Sequence, residues 1–99
     1  MSQHDVYRPR GTDALVVDCQ SDMLAYLPTR FVIALLPTSD APLPAARFNP
    51  IISFDERDYQ LAPQYAASLS VAELGERIGS LADEHFRILT AIDFLVGGY

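Results

Sequence analysis

DALVVDCQSD (residues 13–22) and the later RFVIALL (residues 30–36) are the stretches whose reading decides the fold. In the first, Leu15, Val17 and Cys19 alternate with Val16, Asp18 and Gln20, the period-two pattern of a strand with one apolar and one mixed face. The second is a β-branched and aromatic run without alternation, as expected of a strand covered on both sides. A turn at Leu27–Thr29 joins them, and RFVIALL is predicted to be central in a mainly β protein.

Beyond this pair, LPTSDAPLPAARFNP carries Pro37, Pro42, Pro44 and Pro50, which fix backbone dihedrals and remove donors. An irregular excursion is predicted there. IISF, the charged turn DERD and YQLA then form a β-hairpin, and AASLS supplies another strand. The C-terminal third admits two readings. Val71, Leu74, Ile78, Leu81, His85, Ile88, Ile92 and Leu95 recur at helical spacing, with Ser70 and Glu73 as a capping box. Gly75 and Gly79 oppose one long helix, since each costs a helix interior about 1 kcal/mol relative to alanine. The preferred reading is a short turn at Ser70–Leu74, an extended ERIGSL and a helix from about Asp83. Asp83 is then the N-cap, Glu84 favours the positive end of the dipole, and Gly97 with Gly98 stops the helix.

The 99-residue chain is long enough for one small domain, residues 1–99. Thirteen acidic side chains oppose seven basic ones, all arginine, for a formal charge of -6. That balance argues against direct nucleic-acid binding, which draws its affinity from neutralised phosphates. Arg8 and Arg10 are expected to be solvated. No run is apolar and long enough to span a bilayer and no secretory leader is evident, so a cytoplasmic location is expected. The single Cys19 cannot form an internal disulfide, and its place in the alternation makes it a buried hydrophobe.

Catalytic signals are missing from the sequence. It has no phosphate-binding glycine loop, no nucleophile elbow and no HExxH, and with only His4 and His85 a histidine-based metal site is not expected. His85 falls in the helical apolar stripe and is expected to be packed or half-exposed, not catalytic. Asp18, Asp22, Asp55, Asp58 and Asp93 are expected mostly on the surface or in turns. Asp93 and Val96 sit on neighbouring helical turns just before the GGY end, so they can form one patch. The competing expectation is that Phe94, Leu95 and Tyr99 pack onto the sheet.

VVDCQSD, RFVIALL, FNPIISF, SLSVAELGERIGSLA and AIDFLVGGY, in that order, resemble the CcdB family over nearly the whole chain. The most specific pieces are VDxQSD, LGxx(I/V)xxL and AIxxL, while Pro37–Arg47 matches poorly. The resemblance implies an SH3-like β-barrel with a C-terminal α-helix, related in fold to the MazF and Kid toxins and assembled as a homodimer. It also implies a toxin of a type II toxin-antitoxin system, non-catalytic and without cofactor or metal. Such a toxin poisons DNA gyrase through its A subunit, is neutralised by a CcdA-like antitoxin, and with it represses its own operon. The gyrase-binding positions it implies are Ser21, Met23, Leu24, Asp93, Val96, Gly97, Gly98 and Tyr99.

Two departures stand out. Gly97 occupies the place of a tryptophan in a terminal Trp-Gly-Ile, and Asp93 that of an asparagine. Two other readings are an endoribonuclease on the same barrel, which would need a basic RNA groove and a base for the 2′-hydroxyl, and a non-toxic homologue that only binds antitoxin.

Overall fold

Alternation in DALVVDC sends Leu15, Val17 and Cys19 into the main core, where they meet Val6, Ile33, Leu35, Ile52, Leu61 and Ile88. The opposite face is covered too. Val16 and Val32 join Tyr7 and Leu74 in a second, smaller cluster. The computed structural model, which describes residues 1–45 and 47–98, thus places two buried layers on the strands that the sequence marks as central.

The strands are β1 Asp5–Arg8, β2 Leu15–Asp18, β3 Thr29–Pro37, β4 Ile51–Phe54, β5 Arg57–Ser70 and β6 Glu76–Ser80, followed by the helix α1 His85–Gly97. They form one antiparallel sheet in the order β4-β5-β3-β2-β1-β6. β3 is interior, and its Ile33 and Leu35 face the main core while Val32 faces the smaller one. The sheet curls until its two edges approach. A Cβ added at Gly79 of β6 would lie 2.6 Å from the ring carbons of Phe54 at the end of β4. The edges therefore meet through an aromatic ring seated on a glycine, without a backbone ladder among the described residues. This is the mainly β barrel with a C-terminal helix that the resemblance implies.

Several elements differ from the sequence reading. DVYR, unassigned there, is β1, which lies between β2 and β6. YQLA and AASLS are not separate strands but parts of β5. Ala62 pairs with Ala34 and Ala67 with Val32, so residues 63–66 stand opposite Ile33 alone. Pro63, which has no N–H, sits at this irregularity, where a ladder donor is not required. The hairpin turn is tighter than DERD: Phe54 pairs with Arg57, and only Asp55 and Glu56 turn, with φ of 51° and 63°. Positive φ at both central residues is the signature of a type I′ turn, whose twist matches that of the flanking strands.

The Ser70–Glu73 capping box is present, and Gly75, φ +74°, lies so close to Arg8 that a Cβ there would be 2.2 Å from its carbonyl oxygen. The extended reading of ERIGS is borne out as β6. Asp83 is not the N-cap. It lies inside a 3-10 turn, Ala82–Glu84, whose first amide is met instead by Ser80 Oγ at 3.1 Å, and α1 starts at His85 without a side-chain cap. Gly97 ends the helix, and Gly98, φ +78°, donates its N–H to Phe94 O at 3.1 Å. Among the described residues no helix is long and apolar enough to cross a membrane.

Candidate binding surface

The segment after β2 is held by a buried polar frame. Asp18 and Arg30 are both fully buried, with Arg30 Nε donating to Asp18 Oδ2 at 2.8 Å. Nη2 lies equally close to the same oxygen, off the line of a second hydrogen bond, and Nη1 has no partner among the described residues. Asp18 is thus an exception to the expectation that the five aspartates lie mostly on the surface or in turns. Asp18 Oδ1 accepts from Gln20 N at 3.0 Å. Gln20 in turn accepts from Phe31 N and donates to Leu24 O, both at 2.9 Å. These bonds fix the backbone on both sides of residues 21–24 through Gln20.

What this frame carries is a 3-10 turn, Asp22–Leu24, capped by Ser21, whose Oγ accepts from Met23 N at 3.2 Å. With its backbone occupied, the turn projects its side chains outward. Met23 is 86% exposed, and Leu24 and Tyr26 are exposed beside it.

At the other end, α1 turns Ile88 and Ala91 into the core and leaves Asp93, Leu95 and Val96 exposed, Val96 by 81%. Phe94 packs against the irregular excursion. Its ring centroid is 5.8 Å from that of Phe48, and Arg47 lies 5.9 Å from the ring centroid. The irregular excursion thus props the last turns of the helix. Asn49 fixes the end of that excursion: its side chain accepts from Ala45 N and donates to Leu61 O and Gln64 Oε1, all within 3.2 Å. Tyr99 lies outside the described residues.

Ser21, Met23 and Leu24 therefore form one exposed patch, and Asp93, Val96, Gly97 and Gly98 another. Among the described residues no hydrogen bond or ion pair joins the two directly. α1 rises about 18 Å from His85 to Gly97, so its entrance and its tail are well separated. The entrance is tied to the first patch through Gln3 and His4. Gln3 N donates to Asp22 Oδ1 at 2.8 Å, and His4 Nδ1 lies 3.4 Å from His85 Nδ1. The sequence reading missed this link because nothing local marks His4 as buried. Along the same helix an open groove of about 640 Å³ lies between Pro44, Pro50, Ile51, Phe86 and Arg87.

The chemistry of the remaining candidates is limited. Burial, with Asp18 nearby, pushes the Cys19 thiol up to about 12, so it stays protonated and inert at neutral pH. Arg10 is committed to Ala72 O through Nε at 2.7 Å. Among the described residues no group of three or more His, Cys, Asp or Glu is placed to hold a metal ion. The geometry is that of a contact surface: exposed apolar tips on a stiff support.

A family model described as CcdB protein matches residues 3–98, nearly the whole chain. No curated protein matches it.

Proposed function

The chain belongs to the CcdB family, and on that premise we propose that it is the toxin of a type II toxin-antitoxin pair that binds the A subunit of DNA gyrase. It acts by affinity and not by turnover. The observation that carries this reading is the family match over residues 3–98, joined to the exposure of Met23, Leu24 and Val96 at the positions the resemblance implies. Apolar tips buried at a contact are the anchors that dominate binding energy. The protein works as a homodimer, so that two copies of the surface face a symmetric target. A CcdA-like antitoxin neutralises it, and the pair together represses its operon in the cytoplasm. A charge of -6 suits a protein partner and leaves DNA contacts to the antitoxin.

Gly97 removes the aromatic surface that a tryptophan would supply. Loss of an aromatic anchor costs about 2 kcal/mol or more, about thirtyfold in affinity. Tyr99 restores part of it. The same departure favours a second reading, a homologue that binds antitoxin without poisoning gyrase.

Supercoiling and DNA-cleavage assays with purified gyrase, comparing the full chain with one lacking Gly97–Tyr99, test the proposal. Inhibition by the full chain and its loss on truncation are expected. Inhibition that survives truncation overturns the site, no inhibition at any concentration favours the non-toxic reading, and RNA cleavage without gyrase favours the ribonuclease.

A further inference from the structure

His4 adopts a backbone conformation that side chains avoid. Asp5 N donates to Ser2 O at 3.1 Å across a tight turn, and His4 sits within it at φ +72°. Glycine is the residue that takes this conformation without steric cost, and a non-glycine residue held there points to a role for its side chain. The His4 side chain is buried, 2% exposed, and runs into the molecule toward His85 at the start of α1. The two Nδ1 atoms are 3.4 Å apart and the ring centroids 5.0 Å apart.

Two imidazole nitrogens at that distance hold one proton between them. His4 Nε2 is buried without a partner among the described residues. A proton on Nε2 would leave an orphaned buried N–H, so His4 carries its proton on Nδ1 and donates to His85 Nδ1, while His85 keeps its own on Nε2. Meanwhile His4 N donates to Asp18 O and Leu81 N donates to His4 O at 2.7 Å. Gln3 binds Asp22 Oδ1 through its backbone N–H and Cys19 O through its side-chain amide. Residues 3 and 4 therefore bind both the loop that carries Met23 and the chain entering α1.

We infer that His4 and His85 are a positioning pair that fastens the Met23 loop to the entrance of α1, and that a second proton on the pair parts it. A doubly protonated pair sets two N–H groups and two positive charges against each other. Opposing this, Asp18 and Asp22 face His4 from β2 and the loop, and Asp83 and Glu84 precede His85. Asp5 is engaged by Arg77, Glu84 by Arg87, and Phe86 presents an uncharged ring to His85. Burial and the charge of His85 outweigh the two aspartates and hold His4 below the ordinary histidine value of 6.5. The folded protein then takes up its proton at lower pH than the unfolded chain. The resulting stability is present above pH 6.5 and is lost as pH falls through the lowered value.

That the fastened loop is the one that meets gyrase rests on the reading above; the pair itself does not. The test accordingly uses the protein alone. Histidine ring and backbone amide signals are followed by NMR from pH 8 to 5, with thermal midpoints, in the native chain, His4→Gly and His85→Gln. Glycine suits the positive φ, so the first variant keeps its fold. The expected result is a His4 midpoint below 6.5, with the Met23, Leu24 and Leu81 amides moving on the same midpoint. The acid loss of thermal stability shrinks in both variants, and the His4 midpoint rises in His85→Gln. A His4 midpoint at or above 6.5, amides that ignore it, or an undiminished acid loss in His4→Gly overturns the inference.

Discussion

Asp18→Asn removes one charge from the centre of the molecule and little else. Asparagine keeps an oxygen for Gln20 N, so the turn leading to Met23 retains that hydrogen bond. What is lost is the partner of Arg30, whose side chain is fully buried and whose Nη1 already has no partner among the described residues. Breaking a buried pair from one side leaves an uncompensated charge and costs about 3–5 kcal/mol. For a domain of this size that is a large share of a typical total of about 5–15 kcal/mol. At about 4–8 °C per kcal/mol, the thermal midpoint falls by at least about 12 °C. Urea unfolding followed by circular dichroism measures the change, at one fixed protein concentration because the proposed dimerisation would make stability concentration-dependent. The control is Asp18→Leu with Arg30→Met, which replaces the pair by apolar groups and is expected to recover most of the loss. A cost below about 1 kcal/mol for Asp18→Asn, the range of exposed pairs, would refute the argument that this pair organises the loop beneath Met23.

Gly79→Val places a branched side chain where Phe54 already sits, with a Cβ 2.6 Å from its ring carbons. Overpacking there is expected to cost about 1–3 kcal/mol in urea unfolding, and Phe54→Ala in the same chain recovers part of it; no cost would mean that the edges do not meet. Arg77→Gln tests the other side of the barrel. Burial alone would raise Asp5, but hydrogen bonds from Arg77 and Ser2 N hold it below its ordinary value of 3.8. The folded carboxyl therefore stays ionised at lower pH than the unfolded one, a contribution present above pH 3.8 and lost as pH falls through the lowered value. Because Arg77 is half exposed, the effect is small: the variant shows a shallower acid loss below pH 4 in thermal scans, and an unchanged profile refutes the assignment.

The sequence announces the elements whose burial is periodic. Leu15, Val17 and Cys19 read correctly because a two-residue repeat survives on one face, and RFVIALL read correctly because it lacks one. The burial of Asp18 is not legible in this way, since a charge in a strand looks solvated until its partner Arg30, twelve residues away, is placed beside it by the β2–β3 register. β1 is too short and too polar at its ends to signal a strand, and its place depends on pairing with β6 from the far end of the chain. Pro63 stands between YQLA and AASLS, yet a ladder that skips four residues keeps the strand whole. In the candidate surface, Ser21, Met23 and Leu24, carried by family resemblance, sit on an exposed turn, and Asp93, Val96, Gly97 and Gly98 sit at the exposed end of α1. The histidine pair that ties one of them to the helix is a contact across 81 residues, and no local pattern encodes it.

β5 has a consequence for how the molecule melts. A single fourteen-residue strand pairs with β4 at one end and with β3 on both sides of the Pro63 irregularity. Neither half of the barrel owns a complete set of neighbours without it. Heat or denaturant therefore finds no seam along which to detach one half, and the slowest-exchanging amides on both sides of the kink should open together, as one cooperative unit.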